Sequence, residues 1–289
     1  MATFTQQFKE HARQSGADLV GIAGIDRFRD VPAQHNPLSI MPEARSVVVV
    51  GRRITRGTLR GVEEGTQLGI YNLYGADWLD NRFVALTTFR VAEFLEDHRW
   101  EAVPLAPLPP QIPPSGVPVR PGQPAPNVMI DVEEAAVRAG LGEIGYCGVF
   151  LSPQFGPRQR FQAILTDAEL EPDPLLGEPV CLGCQDLERV CPLGALQAGQ
   201  EMVREVCGKR MPVAAIDYGA CRACKNGARP NPYHRDAPPD RLAALCVRTC
   251  LARLEKAERL TNRFETPFRK RAPWAAVVSY EFREGDIEP

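Results

Sequence analysis

The sequence predicts an α+β protein that carries a cysteine-rich, metal-binding segment in its second half. Stretches with apolar residues at helical spacing alternate with short β-branched runs before this segment. Eight of the nine cysteines then fall between Cys181 and Cys250. A length of 289 residues suits one large domain, or one domain with a smaller appendage. Hydrophobic content of 44% and net charge −2 are ordinary for a globular protein and give no global nucleic-acid signature.

Hydrophobic spacing of three to four residues predicts the helices, and β-branched runs predict the strands. Phe4, Phe8 and Ala12, for example, follow one helical face, and Gly16 is suited to end that helix. The predicted elements are, in order, helix 3–15, strand 17–23, strand 46–51, helix 78–99, a strand-like run at 127–130, a helix from 131 and strand 161–166.

A proline-rich segment separates the predicted helix 78–99 from the next regular element. Ten of the residues 104–126 are proline, which excludes a helix or a central strand. We interpret this segment as a long ordered loop of functional importance, with a linker between domains as the alternative.

A glycine-rich turn follows the helix that starts at 131. Glycines at 140, 142, 145 and 148 end this helix and expose backbone that a flat or phosphorylated ligand can approach closely. The turn is not a dinucleotide-binding fingerprint, because its glycines follow a helix instead of joining a strand to one.

The cysteine spacing indicates bound metal. Two CxxC pairs and a Cys-Pro step lie in the block: Cys181-Leu-Gly-Cys184, Cys221-Arg-Ala-Cys224 and Cys191-Pro192. Bacterial ferredoxins use the run C-x2-C-x2-C-x3-C-P, whose third cysteine position is occupied here by Leu187. Eight cysteines match the thiolates that two [4Fe–4S] clusters need. Two four-thiolate zinc sites and a disulfide framework are the alternatives, although disulfide-dense chains are usually short and secreted.

The glycine-rich turn and the cysteine block together resemble the epoxyqueuosine reductase family, with reductive dehalogenases as more distant relatives. The likeness is most specific over residues 135–250, and includes Ala135–Gly145, Leu151–Pro157 and Leu165-Thr-Asp167. It implies a nitroreductase-like domain that binds base-off cobalamin, followed by a ferredoxin-like domain with two [4Fe–4S] clusters. We accordingly predict domains at 1–172 and 173–258 and a C-terminal tail at 259–289.

The resemblance also implies a sorting of the cluster ligands. One cluster is assigned Cys191, Cys207, Cys221 and Cys224. The other is assigned Cys181, Cys184, Cys246 and Cys250, which leaves Cys147 unused. Cys147 is then a buried thiol, or a residue that faces the cofactor.

Candidate site residues follow from the same region. The predicted cofactor-binding residues are Arg138, Gly142, Gly145, Tyr146, Cys147 and Gly148. The predicted proton donors are Asp131 and Tyr146, with Glu133, Glu134, Tyr71 and Tyr74 as alternatives.

Three functions fit these features. The first is an iron–sulfur, cobalamin-dependent reductase that removes oxygen or another leaving group from a small or nucleoside-like substrate, with tRNA as a further possible partner. The second is an electron carrier that reduces a partner's corrinoid or cluster, and the third replaces the corrin by flavin. Each needs an external donor of the ferredoxin or flavodoxin type. Reduced thiolates predict a cytoplasmic protein without a membrane partner.

Overall fold

The computed structural model describes residues 2–235 and 237–274. Its strands are β1 (Leu19–Gly24), β2 (Ser46–Arg53), β3 (Ala102–Leu105), β4 (Glu143–Ile144), β5 (Phe150–Leu151), β6 (Gln159–Thr166), β7 (Leu196–Val206) and β8 (Lys209–Ile216). Its α-helices are α1 (Phe4–Gln14), α2 (Arg60–Glu64), α3 (Ala85–Asp97), α4 (Val132–Arg138), α5 (Tyr218–Arg222) and α6 (Leu245–Lys256). Within the described residues, no helix combines the length and apolar character that a bilayer crossing needs.

A four-stranded antiparallel sheet in the order β1-β2-β6-β3 forms the centre of the first part of the chain. The valines of β2 alternate between its two faces, so both faces are apolar and both are covered. Val48 and Val50 pack with α1 and α3, whereas Val47 and Val49 pack with α4 and the glycine-rich turn. Mixed helix and sheet confirm the predicted α+β class.

The helix predicted at 78–99 begins earlier than expected. Two π-helical segments, Tyr71–Asp77 and Leu79–Val84, run directly into α3. The glycines at 69 and 75 weaken the helical signal in the sequence of this extension.

The proline-rich segment is an irregular chain path between β3 and α4. Its first proline, Pro104, lies in β3 at an edge of the sheet, where a missing N–H is tolerated. The predicted strand-like run at 127–130 is wrong, because this backbone pairs with a loop and not with the sheet. Met129 donates its N–H to the Gln34 carbonyl at 3.2 Å, and its own carbonyl lies 2.8 Å from His35 Nδ1.

The cysteine-rich segment is built on the β7–β8 hairpin and on α6. The hairpin closes through the two-residue loop Cys207-Gly208, in which both residues have positive φ (51° and 76°), as in a type I′ turn. The buried face of α6 joins a core shared with α2, the π-helical segments and the β4–β5 turn. The predicted tail is described as far as Trp274, whose indole N–H donates to the Val62 carbonyl at 2.8 Å. Residues 275–289 of the predicted tail lie outside the described residues.

Candidate metal centre and adjoining cavity

Four thiols surround one small apolar pocket. This Cys147 group consists of Cys147, Cys181, Cys184 and Cys250, and the pocket is completed by Tyr146, Leu182, Leu187 and Leu254. Its members come from three places in the fold. Cys147 lies in the turn between β4 and β5, Cys250 lies on α6, and the CxxC pair lies in the loop before β7.

Hydrogen bonds hold the Cys147 group together. The Tyr146 N–H donates to Cys181 Sγ at 3.2 Å, and the Gly183 N–H donates to the same sulfur at 3.4 Å. The Cys147 and Cys250 thiols line the same pocket, and their mutual interaction lowers the pKa of Cys147 and raises that of Cys250. N–H donors of this kind stabilise sulfur in its thiolate or metal-bound form.

A second set of four cysteines includes Cys246, which lies one turn before Cys250 on α6. This Cys246 group consists of Cys191, Cys221, Cys224 and Cys246. The Cys221 sulfur interacts electrostatically with those of Cys191 and Cys224. The Cys246 sulfur interacts with those of Cys191 and Cys221, and also with that of Cys147 in the neighbouring group. Burial raises the pKa of Cys221 to about 11 and that of Cys246 to about 12. These thiols therefore stay protonated at neutral pH unless a metal displaces their protons.

All nine cysteines are free thiols. In the part of the chain that the structure describes, no three His, Cys, Asp or Glu side chains are arranged to hold one metal ion. An iron–sulfur cluster makes a different demand, because its ligands bind separate iron atoms and do not converge on one point.

Cys207 lies apart from both groups. It occupies the tip of the β7–β8 hairpin and packs in the core beneath β1 and α4. Its sulfur is 3.6 Å from Arg138 Nη1 and 3.7 Å from the Arg27 carbonyl oxygen. The structure thus brings together seven of the eight predicted ligands in two groups, and adds Cys147 to one of them.

A cavity of about 410 Å³, the main cavity, adjoins the cysteine-rich segment. Its walls come from the proline-rich loop at 107–111, the start of α4, the open end of β6, the β7–β8 hairpin and the loop at 229–242. Acidic and basic side chains both line it, among them Asp80, Glu133, Arg160, Arg204 and Arg241. Such a concave site with a few converging polar groups is typical of a ligand-binding site.

Two carboxyl groups in the main cavity have pKa values suited to proton transfer near neutral pH. Burial, helped by the neighbouring Asp131 carboxylate, raises the pKa of Glu133 to about 7. Burial also raises the pKa of Asp80 to about 6, against the opposing charge of Arg160 at 3.7 Å. Asp131 lines the cavity as well, but its Oδ1 caps α4 by accepting the N–H groups of Glu133 and Glu134 at 3.0 and 3.1 Å.

Behind the cavity wall lies a polar network that the sequence did not reveal. Arg160 Nη2 donates to Asp240 at 2.6 Å and to the Tyr71 hydroxyl at 3.0 Å, and that hydroxyl donates to Asp240. Burial and Asp240 raise the pKa of Tyr71 well above its usual value, so the phenol stays protonated. Tyr71 is buried behind Asp240 and does not line the cavity. Gln159 and Arg160, which begin β6 before its apolar run, are the signal that the sequence offered for this network.

The predicted cofactor-binding residues divide between several environments. Gly148 lines the main cavity, while Tyr146 and Cys147 line the cysteine pocket. Gly142 and Gly145 pack closely against Leu151 of β5. Arg138 is 3% exposed and forms a bidentate ion pair with Asp30, at 2.7 and 3.0 Å.

The other candidate proton donors lie away from the main cavity. Burial and Glu201 raise the pKa of Tyr146 inside the cysteine pocket. Tyr74 is 48% exposed and contacts the edge of Trp78. Glu134 does not line the cavity, although its neighbour Glu133 does.

Arg241 connects the cysteines to the cavity. It lines the main cavity, and its Nη2 donates to the Gly148 carbonyl at 3.1 Å. Burial opposes its charge, but Cys246, Tyr218 and other neighbours raise its pKa above the ordinary value. A fixed positive charge therefore lies between the thiols and the cavity.

Comparison with curated proteins finds a short, specific match. No family model matches the sequence. The tetrachloroethene reductive dehalogenase of Desulfitobacterium hafniense is 43% identical over 56 residues, which is 19% of this chain and 9% of that protein. The dehalogenase of the same description from Dehalobacter restrictus gives the same values. The match thus spans only a small part of these relatives.

Comparison with solved structures covers far more of the chain. A catabolic reductive dehalogenase solved with 3-bromo-4-hydroxybenzoic acid superposes with a TM-score of 0.50 at 16% identity, over 96% of this chain and 42% of that one. A reductive dehalogenase structure described in terms of B12-dependent dehalogenation gives 0.50 at 15%, over 93% and 40%. The epoxyqueuosine reductase from Streptococcus thermophilus gives 0.48 at 14%, over 67% and 54%. The predicted resemblance is confirmed at the level of fold: this chain has the fold of reductive dehalogenases, and its structural neighbours include epoxyqueuosine reductases.

Proposed function

We propose that the protein is an iron–sulfur reductase, resembling epoxyqueuosine reductases and reductive dehalogenases, that passes electrons through two [4Fe–4S] clusters into the main cavity. The observation that carries this proposal is that Arg241 lines the cavity and interacts electrostatically with thiols of both cysteine groups. The short match to tetrachloroethene reductive dehalogenases supports the same chemistry.

The donor set fits iron–sulfur clusters. Each group offers four thiols, as many as one [4Fe–4S] cluster needs, and the Cys147 group lies in an apolar pocket. Main-chain N–H groups point at Cys181 and Cys191, the latter from Ala195 at 3.4 Å. Such donors, together with burial, set a cluster's reduction potential.

Cobalamin is the proposed organic cofactor, as the family resemblance implies. When bound, it would supply a strongly reducing cobalt centre that removes halide or oxygen from carbon. Gly148 presents bare backbone to the cavity, and Arg204 and Arg229 could donate hydrogen bonds to its amide and phosphate oxygens. A corrin ring with its side chains is larger than a cavity of about 410 Å³. A bound corrin would therefore extend past the open side of the cavity or displace the loop wall at 107–111.

The cavity carboxyls can supply the protons that the reaction consumes. Replacement of a halide by hydrogen takes up two electrons and one proton, and removal of an epoxide oxygen as water takes up two electrons and two protons. Glu133 is half protonated near pH 7, and Asp80 lies in the same cavity. Glu133 is therefore the principal proton donor in this proposal, ahead of Asp131, whose oxygen caps α4.

The proposed substrate is a small or nucleoside-like molecule that carries an epoxide or a carbon–halogen bond. A structural neighbour is a reductive dehalogenase solved with 3-bromo-4-hydroxybenzoic acid, which supports this class of substrate. If the substrate nucleoside belongs to a tRNA, only that nucleoside would enter. The electrons would come from an external ferredoxin or flavodoxin. A pure electron carrier has no use for an internal cavity with tuned carboxyls, so the enzyme is favoured over the carrier.

Cobalamin binding tests this proposal. The protein is purified and reconstituted anaerobically with iron and sulfide, then mixed with cobalamin and freed of excess ligand. We expect a base-off cobalamin spectrum, and reduction of an aryl bromide or an epoxide when a low-potential reductant is added. Clusters without retained corrin and without turnover would favour the carrier, and a retained flavin would identify the other cofactor.

A further inference from the structure

We propose that Cys147, which lies outside the cysteine block, is a ligand of the cluster held by Cys181, Cys184 and Cys250, and that Cys207 binds no cluster. This inference rests on the proposed pair of clusters. It changes which chain elements hold them, because one ligand then comes from the glycine-rich turn.

The ferredoxin-type run of this chain lacks one of its four cysteines. Leu187 occupies the third place of the ferredoxin-type run, and its side chain is 2% exposed in the pocket of the Cys147 group. The short helical turn Gln185–Val190 directs this side chain inward. The run therefore brings two thiols and one leucine to the pocket, and α6 adds Cys250. A fourth thiol must come from another part of the chain.

Cys147 lies in the pocket where the fourth thiol is needed. The hydrogen bond from the Tyr146 N–H to Cys181 Sγ fixes the turn against the CxxC pair. The next residue's thiol then lies in the same pocket as Cys181, Cys184 and Cys250 and is 1% exposed. Gly148 has φ +68°, a left-handed conformation that closes the turn directly after Cys147. The backbone thus holds this thiol among the other three.

Cys207 lies too far from the other cysteines to share a cluster with them. Cys191 precedes the base of the β7–β8 hairpin, and Cys207 lies at its tip. β8, which returns from the tip to the base, has 8 residues, and at about 3.3 Å per residue the tip lies roughly 25 Å from the base. Cys207 is instead enclosed by Arg138 and the Arg27 carbonyl. Most of the residues between Cys191 and Cys207 form β7, which runs away from the other thiols.

Cys246 takes the place of Cys207 as the fourth ligand of the second cluster. Cys246 lies within electrostatic reach of Cys147, Cys221 and Cys191, and Cys224 follows Cys221 in the same turn. Because Cys147 shares its pocket with Cys250, the thiols of Cys191, Cys221 and Cys224 are left as the partners of Cys246. Cys246 and Cys250 lie one turn apart on the same face of α6. This helix therefore gives one ligand to each cluster and sets the two clusters side by side, as electron transfer between them requires.

Iron analysis of single variants tests the assignment. Wild type, Cys147→Ala and Cys207→Ala are reconstituted anaerobically, and iron and sulfide per chain are measured with the electron paramagnetic resonance spectrum of each reduced protein. We expect Cys207→Ala to keep the wild-type iron content. We expect Cys147→Ala to lose about half of it, or to show the signal of a three-iron cluster. Loss of a cluster in Cys207→Ala, or full content in Cys147→Ala, would overturn the assignment.

A rescue variant guards against simple misfolding. Because Leu187 lines the same pocket, Leu187→Cys in the Cys147→Ala background returns a fourth thiol from the ferredoxin-type position. Recovery of the lost iron in this double variant supports the assignment. If the Cys147 variants do not fold, alkylation of cluster-loaded wild-type protein tests the assignment of Cys207. If the assignment holds, Cys207 is alkylated to the same extent before and after the iron is chelated. If it fails, Cys207 is alkylated only after chelation. Wild type without iron or sulfide would refute the proposed function itself.

Discussion

Arg241 Nη2 donates a hydrogen bond of 3.1 Å to the carbonyl oxygen of Gly148. This contact joins the loop before α6 to the glycine-rich turn, and so joins the cysteine-rich segment to the wall of the main cavity. Arg241 is 5% exposed, and the electrostatic field of its guanidinium reaches Cys147, Cys221 and Cys246. Its charge is therefore placed to influence both groups of thiols and the cavity.

Replacement of Arg241 by Ala is expected to shift a cluster potential to more negative values. Loss of a buried positive charge destabilises the reduced, more negative cluster, by an amount on the order of tens of millivolts. A redox titration followed by electron paramagnetic resonance measures the shift. Arg241→Lys should keep most of the wild-type potential, and Arg210→Ala, at an exposed hairpin position, should leave it unchanged. Equal potentials in Arg241→Ala and wild type would contradict this role.

Replacement of Gly148 by Ala is expected to destabilise the fold and disturb Arg241. A Cβ here would lie 2.9 Å from Ile216 Cδ1 and 3.2 Å from Arg241 Nη2, on a residue with φ +68°. We expect a loss of about 2–3 kcal/mol in the free energy of unfolding, from left-handed strain and crowding together. Gly208→Ala has a similar φ of +76° with nothing within 4 Å, and should cost only about 1 kcal/mol. Urea denaturation compares the two, and equal losses would show that crowding is unimportant.

Replacement of Glu133 by Gln is expected to change the pH dependence of stability. The folded protein holds the Glu133 proton up to about pH 7, above the usual value of 4.5. Its favourable contribution is therefore complete below about pH 4.5 and is lost as the pH rises through 7. Gln does not titrate. As the pH rises from 5 to 8, the free energy of unfolding of the variant should therefore increase by about 1–3 kcal/mol relative to that of wild type. Thermal unfolding across this range measures the difference.

The same variant tests the proton donor. Turnover of an aryl bromide or an epoxide by wild type should fall as the pH rises above 7, because Glu133 loses its proton. Glu133→Gln should lower turnover by about 10²-fold or more and remove this dependence. Glu134→Gln is the matched control, since Glu134 does not line the cavity. Wild-type turnover in Glu133→Gln would assign the proton to another group, with Asp80 as the next candidate.

Replacement of Glu63 by Gln is expected to weaken the packing of α2 against α6. Glu63 accepts a hydrogen bond from Arg248 Nε at 2.5 Å, and both side chains are 1% exposed. Lys270 also pairs with Glu63 at 2.9 Å. Removal of this charge leaves Arg248 buried without its counter-ion, at a cost of about 3–5 kcal/mol. Glu64→Gln, which removes more exposed pairs with Arg60 and Arg271, should cost less than about 1 kcal/mol. Chemical denaturation of both variants measures the contrast.

Much of the central sheet could be predicted from the sequence. The valine run of β2 and the apolar run of β6 are long enough, and β-branched enough, to identify buried strands. The β7–β8 hairpin could not be predicted in this way, because exposed Met202 and Val203 interrupt its alternation and a register shift separates Gln197 from Glu201. The spacing of sixteen residues between Cys191 and Cys207 does not show whether the chain between them brings Cys207 back to the other cysteines or carries it away from them.

The candidate site was predictable in its residue types and only partly in its geometry. The cysteine count indicated eight ligands, and the glycine-rich turn was predicted to bind the organic cofactor. Its contact with the Cys181–Cys184 pair was not predicted. Which thiols meet depends on tertiary packing: Cys147 reaches Cys250 only because the β4–β5 turn docks on α6. The tuned carboxyl of Glu133 likewise depends on cavity walls from distant segments, and no local pattern encodes those walls.

The most direct test of the account is the amount of iron, sulfide and cobalt per chain after anaerobic reconstitution with cobalamin. Two [4Fe–4S] clusters predict about eight iron atoms and about eight sulfides per chain, together with a retained equivalent of cobalt. Stoichiometric zinc without sulfide, or thiols that retain no metal, would contradict the account.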